Sequence, residues 1–261
     1  MEQPKRHPIH FVGAGPGDPE LITVKGRRLL AEAEVIIYTG SLVPAELLAG
    51  LSAEIHDSAG LALPEIMGLM AGAWRAGKRV VRLHTGDPSI YGAIGEQMSR
   101  LAELAIPWKV VPGVSSAMAA AAALSAELTL PEISQTVIIT RRAGRTPVPE
   151  KENLAALAGH GATMLIFLSA GMIEEVVADL AAGGYGPETP VAVVEKASRP
   201  EERIVRGTLA SIARQVREAG ITRTAIIAVG EVLAQGVPPA LSKLYDPGFS
   251  HGYRDAEEGK D

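Results

Sequence analysis

Two textures alternate along the chain. Short runs of β-branched and apolar residues, Ile9–Val12, Val35–Tyr38, Val80–Leu83 and Lys109–Val111, read as strands. Between them, Val24–Glu34, Pro64–Ala76 and Gly92–Ala105 read as helices. In Pro64–Ala76, the residues Ile66, Leu69, Met70 and Ala73 fall at i, i+3, i+4 and i+7, which is one face of a helix. Pro64 suits a first helical turn, and Gly77 suits a stop. Strands alternating with helices predict an α/β fold whose first sheet is mostly parallel.

A further helix, Ser115–Ala126, runs into Glu127-Leu128-Thr129-Leu130-Pro131, which breaks the pattern. A domain boundary is placed there. The alternation then restarts with strand Thr136–Thr140, helix Lys151–Ala158, strand Met164–Leu168, helix Ile173–Ala182 and strand Val191–Glu195. Val191–Glu195 and Arg203–Arg206 flank Ala197-Ser198-Arg199-Pro200-Glu201 and read as a long antiparallel hairpin. Helix Leu209–Ala219 and strand Ala225–Val229 complete a second lobe with a mixed sheet. The expected organisation is an α/β lobe over 1–126, a second over 127–240, and a polar tail over 241–261 that frays.

Composition narrows the function classes. The 261 residues can bury a sizeable core. A net charge of −5 and only 4% aromatics argue against a nucleic-acid binder. No cysteine is present, so disulfides, thiolate nucleophiles and Cys-based zinc sites are excluded. Met1–Arg6 is followed by no stretch resembling a signal peptide. The longest apolar run, Ala117–Leu124, is too short to span a bilayer. A soluble cytoplasmic protein is expected.

The candidate chemistry lies in loops that follow strands. VGAGPGDPELITVKG (Val12–Gly26) and HTGDPSIYGAI (His84–Ile94) are rich in Gly, which lets main chain approach a ligand closely. Gly13, Gly15 and Gly17 imitate a dinucleotide-binding pattern, but its third Gly is due where Asp18 stands. The ribose-binding acid expected after the second strand is also missing, since Tyr38 leads into Thr39-Gly40. That counts against a nicotinamide-dependent oxidoreductase. Loops Pro112–Ala117, Ser169-Ala170-Gly171 and Ala197-Ser198 follow other strands in the same way. In open α/β sheets, ligands bind outside the carboxyl ends of strands.

Single residues admit two readings each. Asp18 precedes Pro19-Glu20 and is a helix cap or a catalytic residue. Asp87 precedes Pro88 and is a cap or turn residue, or part of the site. His84 is a structural histidine or a functional one, and no partner at metal-ligand spacing stands near it, so no metal is expected. Ser115-Ser116 cap a helix, and nothing supports a nucleophile there. Arg141 and Arg142, with Arg145 nearby, form either a solvated basic loop or a clamp for substrate carboxylates.

The motifs VGAGPGDPELIT, GDPSIYG, VPGVSSA, VAVVEKAS and TAIIAVGEV, in this order, resemble the tetrapyrrole methyltransferases. The likeness covers Ile9 to Val232. It implies two α/β lobes with S-adenosylmethionine held between them, S-adenosylhomocysteine as product, an anionic tetrapyrrole substrate, and a homodimer. YTGSLVP (Tyr38–Pro44) and RLHTGDPSIYGAI (Arg82–Ile94) are most similar to the branch that methylates precorrin-4 at carbon 11 in cobalamin biosynthesis. Uroporphyrinogen-methylating relatives carry an acid after the second strand and a GGDP loop, where this chain has Thr39-Gly40 and Thr85-Gly86-Asp87-Pro88. Methylation at another carbon, a cobalt-containing substrate, and a non-catalytic binding protein stay open as alternatives.

The resemblance places the cofactor against Pro16, Thr85, Gly86, Asp87, Ile90, Ser115, Ser116 and Ala117. From the second lobe it adds Ser169, Ala170, Ala197, Thr224 and Ala225. These mostly small residues suit a ligand held by backbone groups. The candidate proton acceptors are Asp18, His84 and Tyr91, and the candidate substrate residues are Arg141 and Arg142.

Overall fold

A computed structural model describes residues 7–234, 236 and 242–256. Met1–Arg6, Leu241 and residues 257–261 lie outside them, so the expectation on the N-terminus falls on undescribed residues; the tail is described over 242–256, with a short helical turn at Lys243–Tyr245. The chain divides into two compact units. One comprises Met1–Ala119 with Lys196–Glu201, and the other Ala120–Glu195 with Glu202–Asp261.

The first unit contains a parallel sheet of β1 (Ile9–Gly13), β2 (Val35–Tyr38), β3 (Glu54–Asp57), β4 (Val80–His84) and β5 (Trp108–Val111), in the order β3-β2-β4-β1-β5. On one face, Ile9, Phe11, Val35, Ile37 and Val80 pack against α2 (Leu63–Arg75) and α3 (Ile94–Glu103) through Ile66, Met70, Trp74 and Leu101. On the other face, Val12, Ile36, Val81 and Leu83 pack against Leu30 of α1 (Val24–Glu32). Successive residues of these strands face opposite sides, and because both sides are covered the strands read as near-continuous apolar runs, as a parallel sheet requires.

Helix ends follow local chemistry. The Thr23 side chain caps α1 by accepting the N–H of Gly26 at 3.1 Å. Pro64 lies in the first turn of α2, and Glu65 reaches back to the N–H of Ala62 at 2.8 Å. Helix α3 starts at Ile94, later than the expected Gly92, because Tyr91 and Ala93 have φ of 55° and 49° and interrupt helical backbone. Strand β3 has no counterpart among the strands expected from the sequence. Its residues Glu54-Ile55-His56-Asp57 are largely exposed at the sheet edge, so no apolar alternation marks them.

The second unit has the mixed sheet expected of it. It holds β6 (Val137–Arg141), β7 (Thr163–Phe167), β8 (Pro190–Glu195), β9 (Arg203–Thr208) and β10 (Ala225–Val229), ordered β6-β7-β10-β8-β9. Only β6 and β7 are parallel; β10 runs antiparallel to both β7 and β8, and β8–β9 is the antiparallel hairpin. Helices α5 (Leu154–Ala158), α6 (Ile173–Ala182) and α7 (Ile212–Glu218) cover one face through Leu154, Val176, Leu180, Ile212 and Val216. Helix α4 (Ser116–Leu124) is the Ala-rich segment, with Ala117 and Ala120 fully buried.

Candidate active site

In the first unit, the connections leaving β1 and β4 go to opposite faces of the sheet, α1 on one and α3 on the other. Adjacent strands whose connections diverge leave a crevice at their carboxyl ends. The two Gly-rich loops meet there. Gly15 and Gly86 form an antiparallel bridge, with the Gly86 N–H donating to Gly15 at 2.7 Å and the Gly15 N–H donating to Gly86 at 3.3 Å. The loop after β5 closes on the same point. A Cβ on Gly13 would stand 2.6 Å from the Cα of Gly113, and one on Gly113 would stand 2.2 Å from the carbonyl oxygen of Gly86. Three strand ends thus approach at backbone distance, which is why the loops carry glycine.

Asp87 fixes this meeting. One carboxylate oxygen accepts the N–H of Ser89 at 2.8 Å, and the other accepts the N–H of Gly113 at 2.9 Å. Its turn role is therefore real, and it also couples two loops. Asp18 caps the short helical turn Pro19–Leu21 by accepting the N–H of Glu20 at 2.8 Å. The Asp18 N–H in turn donates to Ser198 Oγ at 3.0 Å, so the tip of the β8–β9 hairpin is stitched to the first Gly loop. Pro16 and Gly86 are buried beside these contacts, while Thr85, Asp87 and Ile90 are half-buried. Ser115 Oγ accepts the N–H of Ala117 at 3.3 Å, which is the capping role its position suggested.

His84 ends β4 on the same face as Arg82, and both are buried. Arg82 donates to Gln97 Oε1 at 3.2 Å, the Ile37 carbonyl at 3.2 Å and Ser58 Oγ at 2.9 Å. None of these partners is a carboxylate, so the cation is solvated by neutral dipoles. Burial lowers its pKa to about 10, and it stays protonated at neutral pH. Burial and the Arg82 charge together push the His84 pKa down to about 3, so the imidazole is neutral. Its ring packs on Phe11, 5.9 Å between centroids. Nothing in the sequence pointed to Gln97 or Ser58. Arg82 left a trace, a charged residue at an inward position of an apolar strand.

The second unit gathers its candidates at one sheet edge. Because β10 is antiparallel to its neighbours, the carboxyl ends of β6, β7 and β8 lie beside the amino end of β10. Ala225 pairs with Glu195, and Arg141 with Phe167. Ser169, Ala170, Thr224 and Ala225 are thereby brought together. Ser169 is fully buried, accepting the Arg142 N–H at 3.0 Å and donating to the Phe167 carbonyl at 2.7 Å. Ala197 is buried in the hairpin tip and is grouped with the first unit.

Backbone strain concentrates in these loops. Non-glycine residues with left-handed φ include Tyr91 and Ala93 after β4, Leu168 after β7, Lys196 and Ser198 in the hairpin tip, and Thr224 before β10. Thr224 is β-branched and Leu168 is 70% exposed, so neither gains this conformation from its own preference or from burial. Such residues cost on the order of 1–3 kcal/mol each and collect at ligand sites.

The arginine pair has partners already. Arg142 Nε donates to Asp179 Oδ2 at 2.7 Å. Arg141 donates to the Thr146 carbonyl at 3.1 Å and the Pro147 carbonyl at 2.6 Å. Tyr91 is half exposed. Among the described residues, no cluster of three or more His, Cys, Asp or Glu could hold a metal ion. Likewise, no described helix is long and apolar enough to cross a membrane.

Comparison with known proteins shows the family. Two curated relatives are similar over nearly their full lengths. A cobalt-precorrin-4 C(11)-methyltransferase of Methanocaldococcus jannaschii is 58% identical over 94% of this chain and 95% of its own. A precorrin-4 C(11)-methyltransferase of Pseudomonas aeruginosa is 51% identical over 95% and 99%. Among solved structures, a cobalt precorrin-4 methyltransferase described as a cobalamin biosynthetic enzyme superposes with a TM-score of 0.87 at 46% identity, covering 90% of this chain and 99% of that one. The uroporphyrin-III C-methyltransferase of Thermus thermophilus in complex with S-adenosyl homocysteine superposes with a TM-score of 0.74 at 31% identity, covering 87% and 99%. The family model for tetrapyrrole (corrin/porphyrin) methylases matches residues 8–213, and the chain belongs to that family.

Proposed function

We propose that this protein is an S-adenosylmethionine-dependent C-methyltransferase of cobalamin biosynthesis that methylates precorrin-4, or its cobalt-containing counterpart, at carbon 11. The observation that carries the reading is likeness over nearly the whole chain to relatives of that name, at 58% and 51% identity. Both the cobalt and the cobalt-free names occur among them, so the metal state of the substrate is kept open. The family resemblance of the motifs extends the proposal to a cytoplasmic homodimer.

The loops fit the cofactor. Gly86 has φ of 59°, and a Cβ there would meet only ordinary contacts from 3.8 Å outward, so its surroundings have room that the Gly13–Gly113 contact lacks. Small residues at 115–117 and 197, all within the first unit, leave backbone groups there as binding elements. When bound, S-adenosylmethionine supplies an electrophilic methyl group. The chain's own task is to hold that methyl in line with an electron-rich macrocycle carbon and to exclude water, since orientation alone can supply much of the barrier reduction.

His84 is poorly matched to taking a proton near neutral pH, because a group with a pKa near 3 is a weak base there. A neutral, buried imidazole at a strand end serves better as a hydrogen-bonding group. Asp18 and Tyr91 remain the other candidates for the proton acceptor. Calorimetric titration tests the cofactor reading: S-adenosylmethionine and S-adenosylhomocysteine bind and NAD does not. Binding of NAD alone would overturn it.

A further inference from the structure

Arg199 lies in the turn of the β8–β9 hairpin and is folded back on the first Gly loop. A Cβ on Gly17 would stand 2.3 Å from the Arg199 Cγ and 2.9 Å from its Nε. The third glycine of GAGPG is thus the seat of an arginine stem. Nη2 donates to the Leu42 carbonyl at 2.8 Å, fixing the guanidinium against the loop after β2. Ser198 beside it accepts the Asp18 N–H, so the turn is held at two points.

The charge of this side chain is unanswered. Among the described residues no carboxylate comes within ion-pairing distance of Arg199, whereas Arg142 is paired with Asp179 and Arg203 with Glu195. Its Nε is buried and makes no hydrogen bond. A guanidinium carries five donors in a rigid fork suited to carboxylates, and leaving one buried and unpaired is costly. Arg82 also lacks an acid, but it spends its donors on Gln97, Ile37 and Ser58 inside the core. Arg199 is held instead among the loops at the strand ends, with capacity left over.

We propose that Arg199, seated on Gly17, anchors a carboxylate of the macrocyclic substrate. The inference rests on the reading that the substrate is a carboxylate-bearing tetrapyrrole. It assigns the anchoring role to the hairpin tip, where a rigid turn presents the fork, in place of the Arg141–Arg142 pair.

The test is a binding titration of the full chain with uroporphyrin, a porphyrin octacarboxylate, and separately with its methyl ester. Arg199→Met should weaken uroporphyrin roughly 10- to 100-fold, as expected for loss of a charge-assisted hydrogen bond. The same change should leave the ester and S-adenosylmethionine within about 2-fold, less than the loss of one charged hydrogen bond would produce. Arg199→Lys should restore part of the loss. Gly17→Ala keeps the charge but displaces the stem, and should reproduce the weakening. It also serves where Arg199→Met fails to fold. Unchanged uroporphyrin affinity in folded Arg199→Met or Gly17→Ala overturns the assignment, as does an equal loss for the ester. A loss confined to S-adenosylmethionine also overturns it, since the carboxylate would then be the cofactor's. The functional reading fails separately, if the wild type binds uroporphyrin but methylates no precorrin-4.

Discussion

The Asp87 carboxylate accepts the backbone N–H of Gly113 across 26 residues of sequence, at 2.9 Å. This one contact locks the loop after β4 to the loop after β5. Asp87→Asn keeps the shape but replaces one oxygen with an amide nitrogen, so only one of the two N–H groups retains its acceptor. Unfolding in urea should show a loss of roughly 1–3 kcal/mol. Unchanged stability would mean the contact contributes nothing.

Gly13→Ala and Gly113→Ala each place a methyl group within 2.6 Å of fixed backbone. The loops must move apart, and about 1–3 kcal/mol of stability should be lost, with cofactor affinity falling alongside. Gly68→Ala is the control. It is exposed in α2 with nothing within 4 Å of the added carbon, and should gain roughly 0.5–1 kcal/mol. Equal thermal shifts in all three variants would contradict the packing account.

His84 makes stability pH-dependent with a defined sign. Its folded pKa, about 3, lies below the ordinary 6.5 because of burial and then Arg82. Below pH 6.5 the unfolded chain binds a proton that the folded chain refuses, so stability falls as the pH drops from 6.5 toward 3. The cumulative loss is on the order of 5 kcal/mol at 1.36 kcal/mol per pKa unit. His84→Phe should flatten this slope relative to wild type in urea melts at pH 7, 6 and 5, a range chosen to bracket ordinary histidine titration. Parallel curves would show that His84 takes up its proton equally in the folded and unfolded chains, against a lowered folded pKa.

Arg141→Ala with Arg142→Ala separates two roles. A substrate clamp loses tetrapyrrole affinity selectively and more steeply at low salt. A loop staple loses stability instead, because the Asp179 ion pair and the Thr146 and Pro147 carbonyl contacts disappear. The partners seen here predict the second outcome, with roughly 1–2 kcal/mol lost for these half-exposed contacts. A large selective rise in the KM for tetrapyrrole at unchanged stability would restore the clamp.

Much of the architecture was legible because its determinants are local. The runs Val35–Tyr38, Ile173–Ala182 and Ala225–Val229 form elements with those limits. Their apolar periods are set by burial on a sheet or against one. Strand β3 was not legible, since an exposed edge strand has no apolar face to alternate. Asp18 and Ser115 were readable as caps because capping acts over two or three residues. The contact from Ser198 to Asp18 spans 180 residues, and no local pattern encodes it. The neutral state of His84 was hidden for the same reason. It depends first on burial, and then on an arginine whose dipolar partners come from α3, from β2 and from the turn after β3.

The most direct measurement is methyl transfer itself. Purified protein incubated with precorrin-4 and methyl-labelled S-adenosylmethionine should yield one labelled methyl at carbon 11, located by carbon NMR, with S-adenosylhomocysteine formed in equal amount. The cobalt complex of the same macrocycle is run in parallel, and turnover of either substrate at carbon 11 supports the assignment. A label at a different carbon, or cofactor binding with no transfer to either macrocycle, would contradict it.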